Sequence, residues 1–293
     1  MTDSARSTYA LADRVVRRIG FGAMQLPGPG VLGPPRDRDE ALSVLRRAVE
    51  LGVNHIDTAQ FYGPDVSNEL IHAALHPYPD DLVLVSKVGA DRDATGTWLP
   101  AQEPALLRAG VEANLRSLAV DRIDVVNLRL HAPDHGPTVA LDDQLDEMVA
   151  LRAEGKIGGV GVSNVSLDQV RHAMERTEIA CVQNAYNLLA RDDEPILDLC
   201  REHGIPYVPF FPLGSAFARM PKVTDHPEVR AAAERLGSTP SQVGLAWLLG
   251  HADNILLIPG TSRRSHLEEN VAAGALRLDP ETTARLDATS GPA

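Results

Sequence analysis

The chain has 293 residues, 44% of them hydrophobic, and a formal net charge of −12 at pH 7. This length suits one α/β barrel or two smaller domains. The acidic balance argues against nucleic acids and anionic membranes as partners, and no apolar run approaches the ~20 residues that a membrane span requires. Residues 1–14 lack the apolar segment of a signal peptide, so we predict a cytoplasmic protein. Cys181 and Cys200 lack metal-ligand spacing, so we predict free buried thiols and no bound metal.

Short apolar segments alternate with longer amphipathic ones along the whole chain. Strands are predicted at 15–24, 53–58, 82–88, 123–130, 157–162, 179–182, 205–210 and 255–258. The first predicted helix has its N-cap at Asp39 and closes at Gly52. Further helices are predicted at 67–75, 104–118, 141–154, 166–175, 195–203, 225–236, 240–250 and 263–273.

Eight strands that are each followed by a helix predict a parallel sheet. The strands are continuous apolar runs, as expected when both faces of the sheet are covered. Because no long linker or repeat interrupts the pattern, we predict an α/β fold, a single (β/α)8 TIM barrel in one domain over residues 1–293. An N-terminal hairpin and a short C-terminal tail complete it, and the Pro/Gly-rich segment 27–35 is predicted as a hairpin loop or lip.

Polar residues stand at the C-terminal ends of nearly all predicted strands, where the chemistry of such barrels gathers. Asp57 ends the second strand, Tyr62 follows it, and Lys87 ends the third. Lysine is scarce, with three against twenty-five arginines, which suggests a task that arginine does not perform. An ammonium beside a phenol lowers the phenol's pKa from about 10 and makes it a better proton donor. The alternative, an ordinary ion pair with a packed tyrosine, does not explain the shared placement of these residues.

Four motifs, in this order and spacing, resemble those of the aldo-keto reductases. They are 56–59 with 62–63, 86–87, 161–164, and 258–261 with 269–270. The similarity runs from about residue 17 to residue 286. Segments 124–129, 181–184, 207–214 and 254–262 resemble, more narrowly, the bacterial branch that includes pyridoxal reductases (pyridoxine 4-dehydrogenases).

This resemblance implies an NADP-dependent oxidoreductase that reduces aldehydes or ketones by hydride transfer. Tyr62 would protonate the developing alkoxide, Lys87 would strengthen it as an acid, and Asp57 would hold Lys87 charged. The family's usual histidine at the end of strand four is replaced by Arg129, and His131 lies two residues further on the same side of the strand. We assign that role to Arg129, which would also attract an oxyanion such as the one beside the aldehyde of pyridoxal. Two alternatives stay open: His131 takes the role of the family histidine, or Arg129 pairs with a structural carboxylate.

The resemblance also implies a cofactor site on several strand ends. Ser163, Asn164 and Gln183 would bind the carboxamide, and Phe210 would stack on the nicotinamide. The remaining expected contacts are Gly22, Ala23, Met24, Phe211, Pro212, Leu213, Gly214, Ser215, Gly260, Thr261, Ser262, Arg263, His266, Glu269 and Asn270.

We expect NADPH or NADP⁺ rather than NADH, because arginines 263 and 264 begin the last predicted barrel helix, where amides and the helix dipole favour phosphate. Gly260 and His266 stand where the family often has lysine and arginine, which would weaken this preference. The substrate is expected to be a small carbonyl compound, with pyridoxal, a sugar, a ketone or a natural-product intermediate as alternatives. The alternative that is not an enzyme is a regulatory subunit that binds a nucleotide and has little turnover. The protein is expected to be a monomer or a weak homo-oligomer.

Overall fold

The computed structural model describes residues 7–93, 95–131, 139–214 and 220–289. The chain starts with an antiparallel hairpin of β1 (Thr8–Leu11) and β2 (Arg14–Arg17). The parallel strands that follow are β3 (Phe21–Gly22), β4 (His55–Asp57), β5 (Val83–Arg92), β7 (Ile123–Arg129), β8 (Ile157–Ser163) and β9 (Ile179–Gln183), paired in the order β3-β4-β5-β7-β8-β9. One further strand, β6 (Trp98–Ala101), pairs antiparallel with the extended end of β5.

The segments predicted as the seventh and eighth strands contribute isolated bridges rather than ladders. Tyr207 bridges Val182 of β9 on one side and Ile255 on the other, and Leu257 bridges Ile19 next to β3. Pro206 and Pro209 flank Tyr207 and have no amide hydrogen, so they cannot donate to a ladder. The predicted α/β character and parallel sheet are confirmed, and the bridges continue the curled path of that sheet.

Helices follow the parallel strands, as the alternation predicted. They are α1 (Arg38–Glu50), α2 (Val66–Leu75), α3 (Pro104–Leu118), α4 (Leu141–Ala153), α5 (Leu167–Arg176), α6 (Glu194–Glu202), α7 (Pro227–Leu236), α8 (Pro240–His251), α9 (Arg264–Ala272) and α10 (Pro280–Asp287).

Three local predictions are corrected by the structure. The N-cap of α1 is Asp37, whose side chain accepts from the backbone N–H of Glu40, and not Asp39, which lies inside the first turn. The predicted first strand, 15–24, divides into β2 and β3. The C-terminal tail contains the helix α10, which the sequence pattern did not predict.

The core has two layers because helices cover the outside of the sheet and the curled sheet encloses a second layer. The inner layer includes Val83, Val125 and Leu256, and Leu11 and Val16 of the N-terminal hairpin pack against its lower end. Cys181 is buried in this layer, and both Cys181 and Cys200 are free thiols, as predicted. The hairpin thus covers the end opposite to the C-terminal ends of the strands, where the polar residues gather.

In the described part of the chain, no helix is both long and apolar enough to cross a membrane. Among the same residues, no cluster of three or more histidine, cysteine, aspartate or glutamate side chains could hold a metal ion.

Candidate active site

Asp57, the last residue of β4, and Lys87, near the end of the parallel part of β5, form a buried ion pair. The exposed fractions are 3% for Asp57 and 4% for Lys87. Lys87 Nζ donates to Asp57 Oδ1 and, at 3.0 Å, to the carbonyl oxygen of Thr58. The second carboxylate oxygen, Asp57 Oδ2, accepts from Gln183 Nε2 at 2.9 Å. The ammonium is therefore fixed by two acceptors, and Asp57 is itself fixed from across the sheet.

Tyr62 lies against this pair in the loop after β4. Its side chain is buried, and its ring centroid is 5.0 Å from Lys87 Nζ. Burial alone would lower the pKa of Lys87, but the charge of Asp57 and the phenol of Tyr62 outweigh burial and raise it above its ordinary value. Lys87 is consequently an ammonium at neutral pH, held next to the tyrosine ring.

Arg129, the last residue of β7, places a second cation beside the phenol. Its Cζ lies 5.7 Å from the centroid of the Phe210 ring. Burial lowers the pKa of Arg129, and the neighbouring Tyr62 opposes that shift. Within the residues that the structure describes, no carboxylate pairs with this guanidinium, although His131 borders the same cavity.

These side chains form the floor of a cavity of about 810 Å³. Its predicted lining residues are Gly22, Met24, Asp57, Tyr62, Lys87, Arg129, Gln183, Phe210, Phe211, Pro212, Leu213, Gly214, Gly260, Thr261, His266, Glu269 and Asn270. Its wall contains Gly22 and Gly260, and a Cβ on Gly22 would come within 2.5 Å of the carbonyl oxygen of Ile258. Only glycine allows this close approach of the strand ends.

Five predicted contacts lie elsewhere, and the position of a sixth is not described. Ala23, Ser163 and Asn164 do not line the cavity, Ser262 and Arg263 line an adjoining cavity of about 440 Å³, and Ser215 is outside the described residues.

Two members of the predicted carboxamide-binding trio carry unused hydrogen-bonding atoms. Ser163 Oγ and Gln183 Oε1 are buried and have no hydrogen-bond partner within the described residues. Asn164 differs, since its Nδ2 donates to the carbonyl oxygen of Leu130 at 2.7 Å. A buried polar atom without a partner costs free energy, so Ser163 and Gln183 mark a place where a polar ligand would be stabilised.

The start of α9 combines cations with a carboxylate. The N–H of Arg263 donates to Thr261 Oγ1 at 3.1 Å, and the N–H of Arg264 donates to Glu40 Oε1 at 3.0 Å. The Arg264 guanidinium also lies 3.6 Å from Glu268. Arg36 and Arg263 line the adjoining cavity together with Asp37, Glu40 and Ser262, so an anion there would meet two arginines and two competing carboxylates.

Sequence reasoning missed part of the cavity wall. The missed residues are Gln25, Val31, Phe61, Trp98, Ser241, Ile258 and Pro259. Trp98 packs edge-on against Phe61, with ring centroids 5.4 Å apart, and lies 4.0 Å from the Arg92 guanidinium carbon. Phe61 could have been found from its place beside Tyr62, whereas Trp98 reaches the cavity only because β6 folds back onto β5.

Residues 18–290 match the model of the Aldo/keto reductase family. The chain belongs to this family. Pyridoxine 4-dehydrogenase of Escherichia coli (strain K12) is 49% identical over 286 residues, which cover 97% of this chain and 98% of that protein. An uncharacterized oxidoreductase of Schizosaccharomyces pombe is 39% identical over 285 residues, covering 97% of this chain and 90% of that protein.

A solved structure agrees with this assignment. The aldo/keto reductase from Klebsiella pneumoniae, in complex with NADP and acetate, superposes with a TM-score of 0.80 at 28% identity, covering 96% of this chain and 94% of that one. Membership of the family confirms the prediction of an NADP-dependent oxidoreductase that interconverts carbonyl and hydroxyl groups.

Proposed function

We propose that this protein is an NADPH-dependent aldehyde reductase whose substrate class includes pyridoxal, which it reduces to pyridoxine. The observation that carries the proposal is the buried Asp57–Lys87 pair beside the Tyr62 ring on the floor of the cavity. The 49% identity to a pyridoxine 4-dehydrogenase over nearly the full length supports the choice of substrate. The two buried free thiols fit a reducing compartment, so we place the enzyme in the cytoplasm, as a monomer or weak homo-oligomer.

The proposal includes a closed eight-stranded barrel formed by one domain over residues 1–293. Isolated bridges support closure because they lead from β9 back to the edge beside β3. They join Tyr207 to Val182 and to Ile255, and Leu257 to Ile19. Catalytic groups at the C-terminal ends of the strands then face one open mouth, as in other barrels of this type.

The residues of this chain fit a nicotinamide dinucleotide phosphate. Gln183 lines the cavity and would offer its buried, unused Oε1 to the carboxamide, and Ser163, paired with Gln183 across β8 and β9, has an unused Oγ as a second proposed contact. Phe210 would offer a ring face to the nicotinamide. Arg263 and the start of α9 would hold the 2′-phosphate in the adjoining cavity. When bound, the reduced cofactor supplies a hydride.

Tyr62 serves as the general acid. It donates its phenolic proton to the carbonyl oxygen of the substrate, which becomes an alkoxide as the carbon accepts the hydride. Lys87 stabilises the phenolate that remains, and Asp57 keeps Lys87 charged and directed at the ring. General-acid assistance of this kind is typically worth about 10²–10⁴ in rate.

Arg129 selects the substrate by charge. Its guanidinium has no carboxylate partner among the described residues, and it stands beside Tyr62 and Phe210. An oxyanion adjacent to the reacting carbonyl would pair with it, and the aromatic walls made by Phe210 and Trp98 suit a flat ring. The 3-hydroxypyridine aldehyde of pyridoxal has both features, whereas sugars and simple ketones have neither.

The test is a substrate panel of pyridoxal, 4-nitrobenzaldehyde, methylglyoxal and simple sugars, followed by the absorbance of NADPH in wild type and Tyr62→Phe. We expect pyridoxal to give the highest kcat/KM and Tyr62→Phe to lose at least about 10²-fold in kcat while it still binds NADPH. Tyr78→Phe is the matched control, because Tyr78 donates to the carbonyl oxygen of Leu118 and does not line the cavity. Turnover by Tyr62→Phe equal to wild type would remove Tyr62 from the mechanism, and NADPH binding without turnover on any aldehyde would favour a regulatory subunit.

A further inference from the structure

A second polar cluster lies behind the catalytic floor, between the sheet and its outer helices. It consists of Thr58 after β4, Ser86 in β5, Asn68 in α2 and Asn114 in α3. All four residues have 0% exposure. None of them lines the cavity, so the reaction described above does not account for them.

Hydrogen bonds join the four side chains into one chain across two strands and two helices. Thr58 Oγ1 donates to Asn68 Oδ1 at 2.8 Å, and Asn68 Nδ2 donates to Asn114 Oδ1 at 2.9 Å. Ser86 Oγ donates to the same Asn114 oxygen at 2.6 Å. The outer ends are also satisfied, because Asn114 Nδ2 donates to the carbonyl oxygen of Gly110 at 2.9 Å.

Thr58 and Ser86 are direct chain neighbours of the catalytic ion pair. Thr58 follows Asp57, and its carbonyl oxygen is the second acceptor of the Lys87 ammonium, at 3.0 Å. Ser86 precedes Lys87. Because successive side chains of a strand point to opposite faces, Ser86 faces the helices while Lys87 faces the inside of the curled sheet. The cluster therefore holds the backs of the two strand ends whose fronts carry Asp57 and Lys87.

The surroundings of the cluster are apolar. Leu70 and Ile71 of α2 and Leu107 and Val111 of α3 are buried in the same layer between sheet and helices. Apolar side chains in the four positions would avoid the cost of removing polar groups from water. A fully satisfied polar network instead fixes distances and angles, since a shift of either strand breaks a buried hydrogen bond.

We propose that Thr58, Asn68, Asn114 and Ser86 are positioning residues that hold the ends of β4 and β5 in the register at which the Lys87 ammonium meets Tyr62. The proposal rests on the proposed role of Tyr62, but it concerns residues that touch neither substrate nor cofactor.

The decisive variant is Thr58→Val, which keeps the β-branched shape and removes only the hydroxyl donor. Thr58→Ser restores the donor and is the rescue variant. Thr282→Val is the matched control, because Thr282 is also buried and its hydroxyl donates to Asp279 Oδ2 in the cap of α10, away from the cavity. Ser86→Ala, which removes the other donor to Asn114, is the second variant if Thr58→Val folds poorly.

The first readout is the ionisation of the Tyr62 phenol, followed by ultraviolet difference spectra during alkaline titration and assigned by subtraction of Tyr62→Phe. Burial raises the pKa values of the other four tyrosines, Tyr9, Tyr78, Tyr186 and Tyr207, and their signals cancel in the subtraction. We expect the Tyr62 phenol of Thr58→Val to ionise at a higher pH than that of wild type, because the ammonium is no longer held against it. Thr58→Ser and Thr282→Val should titrate as wild type does.

The second readout is turnover. We expect kcat of Thr58→Val to fall about tenfold or more, with the Kd for NADPH within about twofold of wild type, since misplacement of catalytic groups lowers rate more than binding. A Thr58→Val protein with the titration and kcat of wild type would overturn the proposal. If wild type itself fails to reduce aldehydes, the proposed function fails, and the titration still decides the positioning role separately.

Discussion

His55 gives this protein a pH-dependent stability that can be calculated. It lies in β4 with 2% exposure, and its ring packs so tightly on Gly20 that a Cβ there would lie 2.2 Å from Nε2. Burial lowers the pKa of His55 to about 4, and the nearby Arg17 backbone opposes this shift only in part. Neither ring nitrogen has a hydrogen-bond partner among the described residues. The imidazole is therefore neutral in the folded state at neutral pH.

The sign of the effect follows from proton uptake. An unfolded histidine titrates near 6.5, so between about pH 6.5 and pH 4 the unfolded chain binds a proton that the folded chain does not. The contribution of neutral His55 to the free energy of unfolding is fully present above about pH 6.5 and is lost as the pH falls towards 4. Each pKa unit is worth about 1.4 kcal/mol, so the full loss is roughly 3 kcal/mol, of which about 2 kcal/mol has occurred by about pH 5.

The assay is urea unfolding of wild type and His55→Phe at about pH 7.5 and about pH 5. Phenylalanine keeps a flat ring and cannot take up the proton, whereas carboxylate titrations are common to both proteins and cancel in the comparison. We expect wild type to lose roughly 2 kcal/mol more free energy of unfolding than His55→Phe on acidification. His203→Gln, at an exposed histidine, should behave as wild type does. Equal losses in wild type and His55→Phe would refute the reasoning.

Three further predictions concern the cavity. Arg129→Met should lower kcat/KM for pyridoxal about 10- to 100-fold and leave kcat/KM for neutral 4-nitrobenzaldehyde unchanged. His131→Ala should change kcat/KM for both aldehydes alike. Equal effects of Arg129→Met on the two aldehydes would contradict an oxyanion site. Glu40→Gln should lower the Kd for NADPH roughly two- to fivefold and leave the Kd for NADH unchanged, because the Arg264 amide and nearby arginines lose a competing carboxylate. Calorimetry that shows the same change for both cofactors would exclude a 2′-phosphate site beside Glu40. Trp98→Ala should raise KM about tenfold for aromatic aldehydes and little for methylglyoxal, and steady-state kinetics that show no such difference would remove Trp98 from the substrate wall.

Many features followed from sequence because they depend on near neighbours in the chain. Apolar runs and helical periodicity predicted β4, β7 and β8 and helices such as α3 to within a residue or two. The strand end at Asp57 followed from the same pattern, whereas the predicted strand end at Lys87 is corrected, because β5 continues to Arg92 and only its parallel pairing ends at Val88. Motif order led to the family, which the comparison confirmed. The cap of α1 did not follow from sequence, since Asp37 and Asp39 both stand near its start and only the backbone turn selects Asp37.

The tertiary structure decided what depends on partners far along the chain. Gln183 and Asp57 share one hydrogen bond although they are 126 positions apart in the chain, and no local pattern predicts that contact. Packing of distant segments also folds β6 back onto β5, which brings Trp98 to the cavity. It likewise reduces the last two predicted strands to isolated bridges. Sequence therefore determined the elements, the motif residues and the family. Folding determined which of those residues meet, because the contacts that build the cavity join strands and helices that lie far apart in the chain.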